Sequence, residues 1–126
     1  MPHLIAMNPA SPHEHALPAL PAARWMVGAY VGGEVTGFVQ ACDGPFDRRV
    51  ETTLFVHIKW RRQGIGTLLL EAAMDWARLR DARALRLVCA RTDWATRHFA
   101  EKRGARLDLA FGQIVADIPL GRCIDE

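Results

Sequence analysis

The feature that most restricts what this chain can fold into runs from Val56 to Leu70, VHIKWRRQGIGTLLL in one-letter code. It reads as the end of a strand, a basic turn with two glycines, and the first turns of a helix. A helix N-terminus leaves backbone N–H groups unpaired and carries partial positive charge, so acidic side chains are favoured there. Here Lys59, Arg61 and Arg62 crowd the start, and no acid follows until Glu71. Each such cation costs a few tenths to about 1 kcal/mol. A bound anion would reverse the sign. Gly64 and Gly66 lack Cβ, so the backbone can curl around a phosphate and aim its N–H groups at it. A tight turn with solvated arginines would use the same residues, and the hexapeptide alone leaves both readings open.

Two phosphate-binding patterns are excluded by spacing. A P-loop requires Gly-Lys-Ser/Thr, and Ile65-Gly66-Thr67 has no lysine; a dinucleotide fingerprint requires a third glycine where Leu69 stands. What remains is Arg61-x-x-Gly64-x-Gly66 on a strand-to-helix turn. This resembles the pyrophosphate-binding turn of the GNAT acyltransferase superfamily. The approach is similar too: Val56, then Ile58 where the family often has proline, then aromatic Trp60, then Arg61.

A chain of 126 residues suits one domain with one core. Half of it is hydrophobic and 24% charged, ordinary for a globular protein. No apolar run approaches the ~20 residues of a membrane helix, and no basic stretch followed by an apolar core suggests a secretory leader. Cys42, Cys89 and Cys123 are odd in number and widely spaced, giving neither a metal pattern nor a disulfide framework. A cytoplasmic location, no metal and no membrane association are therefore expected. The net charge of +2 is unevenly placed. Residues 59–106 hold twelve Lys/Arg against five Asp/Glu, a net of +7 that suits an anionic ligand. Nucleic acid is not expected, because aromatics are not interleaved with that charge. Arg78, Arg80 and Arg83 read as solvating a helix C-terminus, where cations are favoured.

In chain order, residues 1–22 contain five prolines and three histidines and read as an irregular arm. Residues 23–120 read as the folded domain and 121–126 as a tail. Trp25 to Val31, Gly32-Gly33 and Glu34 to Ala41 predict a hairpin. Val50 to Ile58 predicts a third strand, with Val50, Thr52, Leu54, Val56 and Ile58 on one face and Glu51, Thr53, Phe55 and His57 on the other. Ile65, Leu68, Leu69, Ala72, Trp76 and Leu79 fall at helical spacing and predict one buried stripe. Leu85 to Ala90 predicts a buried strand. Asp93 predicts the cap of a helix from Trp94 to about Arg103, stopped by Gly104. Arg106 to Ala110 and Gln113 to Leu120 predict a final hairpin.

That order predicts an α+β fold, an α/β sandwich in which helices pack on a mixed sheet. The resemblance specifies it further: a mostly antiparallel GNAT-like sheet with a central strand, glycine turn and helix, over residues 24–120. The family's first strand and first two helices find no counterpart in residues 1–22, which leaves the acceptor side uncovered. The second helix is also similar to a family motif, from Phe99 through Lys102 to Gly104. Asp93 stands where an Asn usually contacts pantetheine, and Ala100 stands where a Tyr usually approaches the thiolate.

The resemblance implies an N-acetyltransferase moving an acetyl group directly from acetyl-CoA to a primary amine. It implies that Arg61, Arg62, Gln63, Gly64, Ile65, Gly66 and Thr67 hold the pyrophosphate. Backbone around Leu54, Phe55 and Val56, with Asp93, would meet pantetheine. Such a transfer needs a neutral amine, a polarised carbonyl and a protonated leaving thiolate. Glu51 is the candidate base; a charged residue at a strand end is the plainer reading. Tyr30, the only tyrosine, is an acid only if the fold brings it to the sulfur. His57 lies about 20 Å from Glu51 at ~3.3 Å per residue, so one amine cannot touch both. Cys89 reads as a small apolar filler. A catalytically inactive acyl-CoA-binding module acting through a protein partner is the alternative. Four tryptophans in so small a domain, and an uncovered acceptor side, lead to the expectation of a homodimer.

Overall fold

The structure, a computed structural model, describes residues 3–6, 25–44, 48–61 and 64–121. Among the described residues seven strands form one sheet: β1 (His3–Ala6), β2 (Trp25–Val31), β3 (Glu34–Asp43), β4 (Arg49–Val56), β5 (Ala84–Ala90), β6 (Arg106–Ala110) and β7 (Gln113–Pro119). Their spatial order is β1-β2-β3-β4-β5-β7-β6. Every neighbouring pair is antiparallel except β4 with β5. That parallel pair is joined by helix α1 (Ile65–Leu79), and helix α2 (Trp94–Lys102) follows β5. The mixed α+β architecture is the one expected.

Within the expected irregular arm, His3–Ala6 form a strand; the rest of residues 1–22, and residues 122–126 of the expected tail, lie outside the described residues. His3–Ala6 pairs along β2 from His3↔Tyr30 to Ala6↔Val27. The prolines at positions 2 and 9 flank a proline-free window, which averaging over residues 1–22 conceals. This is an edge strand, within residues 1–22 where no counterpart of the family's first strand is expected.

The third strand ends earlier than expected. After Val56 the chain makes a 3-10 turn, Ile58–Trp60. The His57 ring accepts from the Lys59 N–H at 3.2 Å, and Arg61 Nε donates to the Val56 carbonyl at 3.1 Å. These local bonds replace ladder bonds, and Ile58 is left 74% exposed instead of facing the core.

The buried face of α1 is also rotated from the predicted stripe. Ile65, Leu69, Leu70, Ala73, Met74 and Ala77 are buried, whereas Leu68 and Leu79 are exposed. The sheet selects this face because small Ala73 and Ala77 let the helix approach it. The core they join contains Val39, Ala41, Val50, Leu85, Leu87, Ile114, Ala116 and Ile118. Trp76 lies at its margin, stacked on Trp25 with ring centroids 5.5 Å apart. Arg80 does more than solvate the helix end. Its guanidinium lies 4.9 Å from the Trp76 ring centre and donates twice to Asp43, at 3.2 and 2.6 Å. Arg103 links the helices through Glu71 at 3.0 Å.

Candidate active site

The site originates in a mismatch of strand lengths. β4 and β5 pair only from Arg49↔Ala84 to Thr52↔Leu87. Beyond that point β4 continues beside β3 as far as Val56↔Gly37, and β5 continues beside β7 as far as Ala90↔Gln113. The two central strands therefore part, and their inner edges border a cleft of about 470 Å³. Leu54, Phe55 and Val56 line one wall, with Trp60, Arg61 and Gly64 to Thr67 above them. Ala90, Thr92 to Thr96 and Phe99 line the other.

Ladder phase determines which backbone groups face the cleft. The His57 N–H donates to the Thr36 carbonyl at 2.8 Å. Along a strand successive residues aim their N–H and C=O to alternate sides. Phe55 therefore bonds toward β3, while Leu54 and Val56 aim their polar groups toward the parted side. The Val56 carbonyl is engaged by Arg61. Of the three residues named from sequence, Leu54 and Val56 are thus the ones whose backbone is directed to the cleft. Phe55 packs its ring against Phe38, 5.6 Å between centroids.

Gly64 has φ +80° and precedes α1, which has no side-chain cap and no acid in its first turn. The N–H groups of Ile65, Gly66 and Thr67 precede the first intrahelical bond, Leu68 N–H to the Gly64 carbonyl at 3.1 Å. Among the described residues they have no acceptor, as expected of the first donors of a helix N-terminus, and all three residues line the cleft. A Cβ on Gly66 would lie 3.7 Å from Leu54 Cδ2 and Val56 Cγ2, so the helix start rests closely on β4. Lys59 is offset by Glu34 at 3.7 Å. Arg61 makes no ion pair among the described residues. Arg62 and Gln63 lie outside the described residues.

Asp93 caps α2 and serves a structural function. One carboxylate oxygen accepts from the Thr96 N–H at 3.1 Å and the other from the Thr96 hydroxyl at 2.7 Å. It lines the cleft with these bonds in place. Ala100 is fully buried in the core, whereas Phe99 reaches the cleft.

The candidate acid and base stand apart. Neither Glu51 nor Tyr30 lines the cleft. Glu51 sits one residue before the last β4–β5 pair, on the sheet face opposite that of Val50 and Thr52, with Arg86 at 4.0 Å. Asp117 accepts from Arg86 Nε at 3.1 Å and, with burial opposing it, holds that guanidinium more firmly protonated. Tyr30 is on β2, with β3 between it and β4. His57 serves the 3-10 turn. Cys89 belongs to the core, and burial, with Asp93 adding to it and Arg97 opposing, pushes its thiol pKa up. Sequence reasoning missed Trp60, Thr92, Trp94 and Phe99 as cleft residues. The available signals were adjacency and motif: Trp94 follows the cap residue of α2, Trp60 precedes Arg61 in the approach to the turn, and Phe99 opens the second family-like stretch.

No curated protein matches the chain in sequence. Its fold is similar to that of a GNAT-family acetyltransferase from Streptococcus pneumoniae, 20% identical with TM-score 0.65 over 77% of this chain and 66% of that one. A Klebsiella pneumoniae protein considered an acyl-CoA N-acyltransferase is 19% identical, with TM-score 0.74 over 96% of this chain and 99% of that one. PaiA N-acetyltransferase from Thermoplasma acidophilum, solved with coenzyme A, is 18% identical with TM-score 0.62, over 75% of this chain and 59% of that one. The chain thus spans about two thirds or less of some of these proteins and nearly all of another. The model of the acetyltransferase (GNAT) family matches residues 4–105, most of the chain, and the chain belongs to that family.

Proposed function

We propose that this protein is an acetyl-CoA-dependent N-acetyltransferase that moves the acetyl group directly to a primary amine. The observation that carries this reading is the cleft between β4 and β5, closed at one end by an uncapped, cationic helix start. Arg61 presents a guanidinium, and Ile65, Gly66 and Thr67 present N–H groups, to the pyrophosphate; Arg62 and Gln63 are proposed to belong to the same seat. Leu54 and Val56 offer backbone groups to pantetheine and the acyl carbonyl. The coenzyme A in the Thermoplasma relative accords with this assignment.

In the transfer the amine nitrogen attacks the thioester carbon, the C–S bond breaks, the thiolate gains a proton and the amine loses one. A preorganised donor at the carbonyl oxygen is usually the largest contribution to such a step. Glu51, near the point where the strands part, is the proposed base, reached through water because its side chain is directed away from the cleft-side core. A second reading, an acyl-CoA-binding regulatory module acting through a protein partner, draws on Ala100 and on the distance of Glu51 and Tyr30 from the cleft.

Thermal shift with acetyl-CoA, combined with thiol release against a panel of amines, separates them. Binding with turnover supports the enzyme, binding without turnover on any amine supports the module, and absence of binding at millimolar CoA refutes both. Removing a general base typically lowers the rate by about 10²–10⁴-fold. A loss of less than a few-fold in Glu51→Gln would remove Glu51 from that role.

A further inference from the structure

We infer that Trp94 is a stacking platform for the adenine of the coenzyme A nucleotide, braced from behind by Arg97; this rests on the cofactor reading above. Trp94 opens α2 directly after its Asp93 cap, so its backbone is fixed. It lines the same cleft as Arg61 and Gly64. Among the four tryptophans it alone is exposed, at 66%. Trp25 and Trp76 stack on each other, and Trp60 buries its indole nitrogen.

One face of the Trp94 ring is already covered. The Arg97 guanidinium carbon lies 4.4 Å from the ring centre. Arg97 is itself anchored, donating from Nη1 to the Arg91 carbonyl at 2.7 Å. A ring held on one face by a cation–π contact and otherwise exposed offers its opposite face to a flat partner. Because the indole is already fixed, little side-chain entropy remains to be lost on stacking.

Covalent connectivity indicates which part of the ligand that partner is. With the pyrophosphate at the α1 start, pantetheine runs inward between Leu54 and Ala90. The adenosine, one ribose beyond the pyrophosphate, stays at the mouth. Trp94 lines the cleft and is exposed, as a platform for the only aromatic group of the ligand would have to be. Base–aromatic stacking contributes about 1–3 kcal/mol, a factor of about 5 to 150 in Kd.

Calorimetric titration of CoA and of 4′-phosphopantetheine, which lacks the nucleotide, tests this on wild type, Trp94→Ala and Trp94→Phe. Trp94→Ala is expected to weaken CoA about 5- to 150-fold and to leave phosphopantetheine within about twofold. Trp94→Phe, which keeps a flat ring, should retain most of the affinity for CoA. Equal weakening of both ligands by Trp94→Ala would place the indole on the pantetheine arm and overturn the inference, as would no effect on either. If wild type binds neither ligand, the cofactor reading itself has failed.

Discussion

Gly64 and Gly66 are two residues apart, yet alanine should have opposite effects at the two positions. Gly64 has φ +80° with nothing within 4 Å of a Cβ, so alanine there meets no neighbour but adopts a left-handed backbone. That conformation costs an L-residue about 1–2 kcal/mol. Gly66 lies in the first turn of α1 and its Cβ would make ordinary contacts with Leu54 and Val56 at 3.7 Å. Alanine in a helix is favoured over glycine by about 0.8–1 kcal/mol. At roughly 3–5 °C per kcal/mol for a domain of this size, Gly64→Ala should lower Tm by about 3–10 °C, and Gly66→Ala should raise it by about 2–5 °C. The ligand response should not follow stability. At a CoA concentration 100 times Kd, linkage contributes about 2.7 kcal/mol. The new methyl at Gly66 occupies the approach to the helix N–H groups; a tenfold weaker Kd cuts the linkage to about 1.4 kcal/mol, roughly halving the CoA-induced shift. Differential scanning fluorimetry with and without CoA reads both quantities. A Gly66→Ala protein that is more stable and keeps the full CoA shift would refute the seat assigned to the pyrophosphate. One that is less stable without ligand would refute the packing argument.

Ala100→Tyr should lower Tm rather than restore an acid, because the residue is fully buried in the core and overpacking costs about 1–3 kcal/mol; higher stability with faster thiol release would contradict this. Cys42 and Cys89 should label with a thiol reagent only on unfolding, measured by mass spectrometry in a Cys123→Ser background. Burial raises both thiol pKa values, with Glu51 and Asp43 adding at Cys42. A raised folded pKa stabilises the fold below the unfolded value of about 8.5, and that contribution disappears as pH rises through the folded value, so stability should decline at alkaline pH. Assembly is proposed to be a homodimer, because the edge strands β1 and β6 carry exposed Leu4, Ile5 and Leu109; a monomeric mass by light scattering at micromolar concentration would refute it.

Local signals in this sequence are strong where chain chemistry alone decides the outcome. Gly32-Gly33, the Asp93 cap and Gly104 all occupy the turns and helix ends their residue types demand. The parting of β4 from β5 is not legible in the residues, because nothing in either strand encodes which neighbour stops pairing first. The face of α1 was misassigned because Leu68 and Leu79 carry the hydrophobicity while Ala73 and Ala77 determine the approach to the sheet. His3–Ala6 was missed because four residues become a strand only when a long edge awaits them. The roles of Glu51 and Tyr30 were beyond reach for a similar reason: a side chain's distance from a cleft depends on strand order.

The short pairing between β4 and β5 has a mechanical consequence. Four ladder pairs, the Arg83 N–H on the Arg48 carbonyl and the ion pairs Arg86–Glu51 and Arg49–Asp117 join two leaves, β1–β4 and β5–β7, with α1 as the spine that spans them. A ligand between the leaves would act as rivets do, transmitting load across a seam the backbone leaves open. Pulled apart by its termini in a force spectrometer, the free protein should yield at this seam before either leaf unravels. With CoA bound, the leaves should give way together at a higher force.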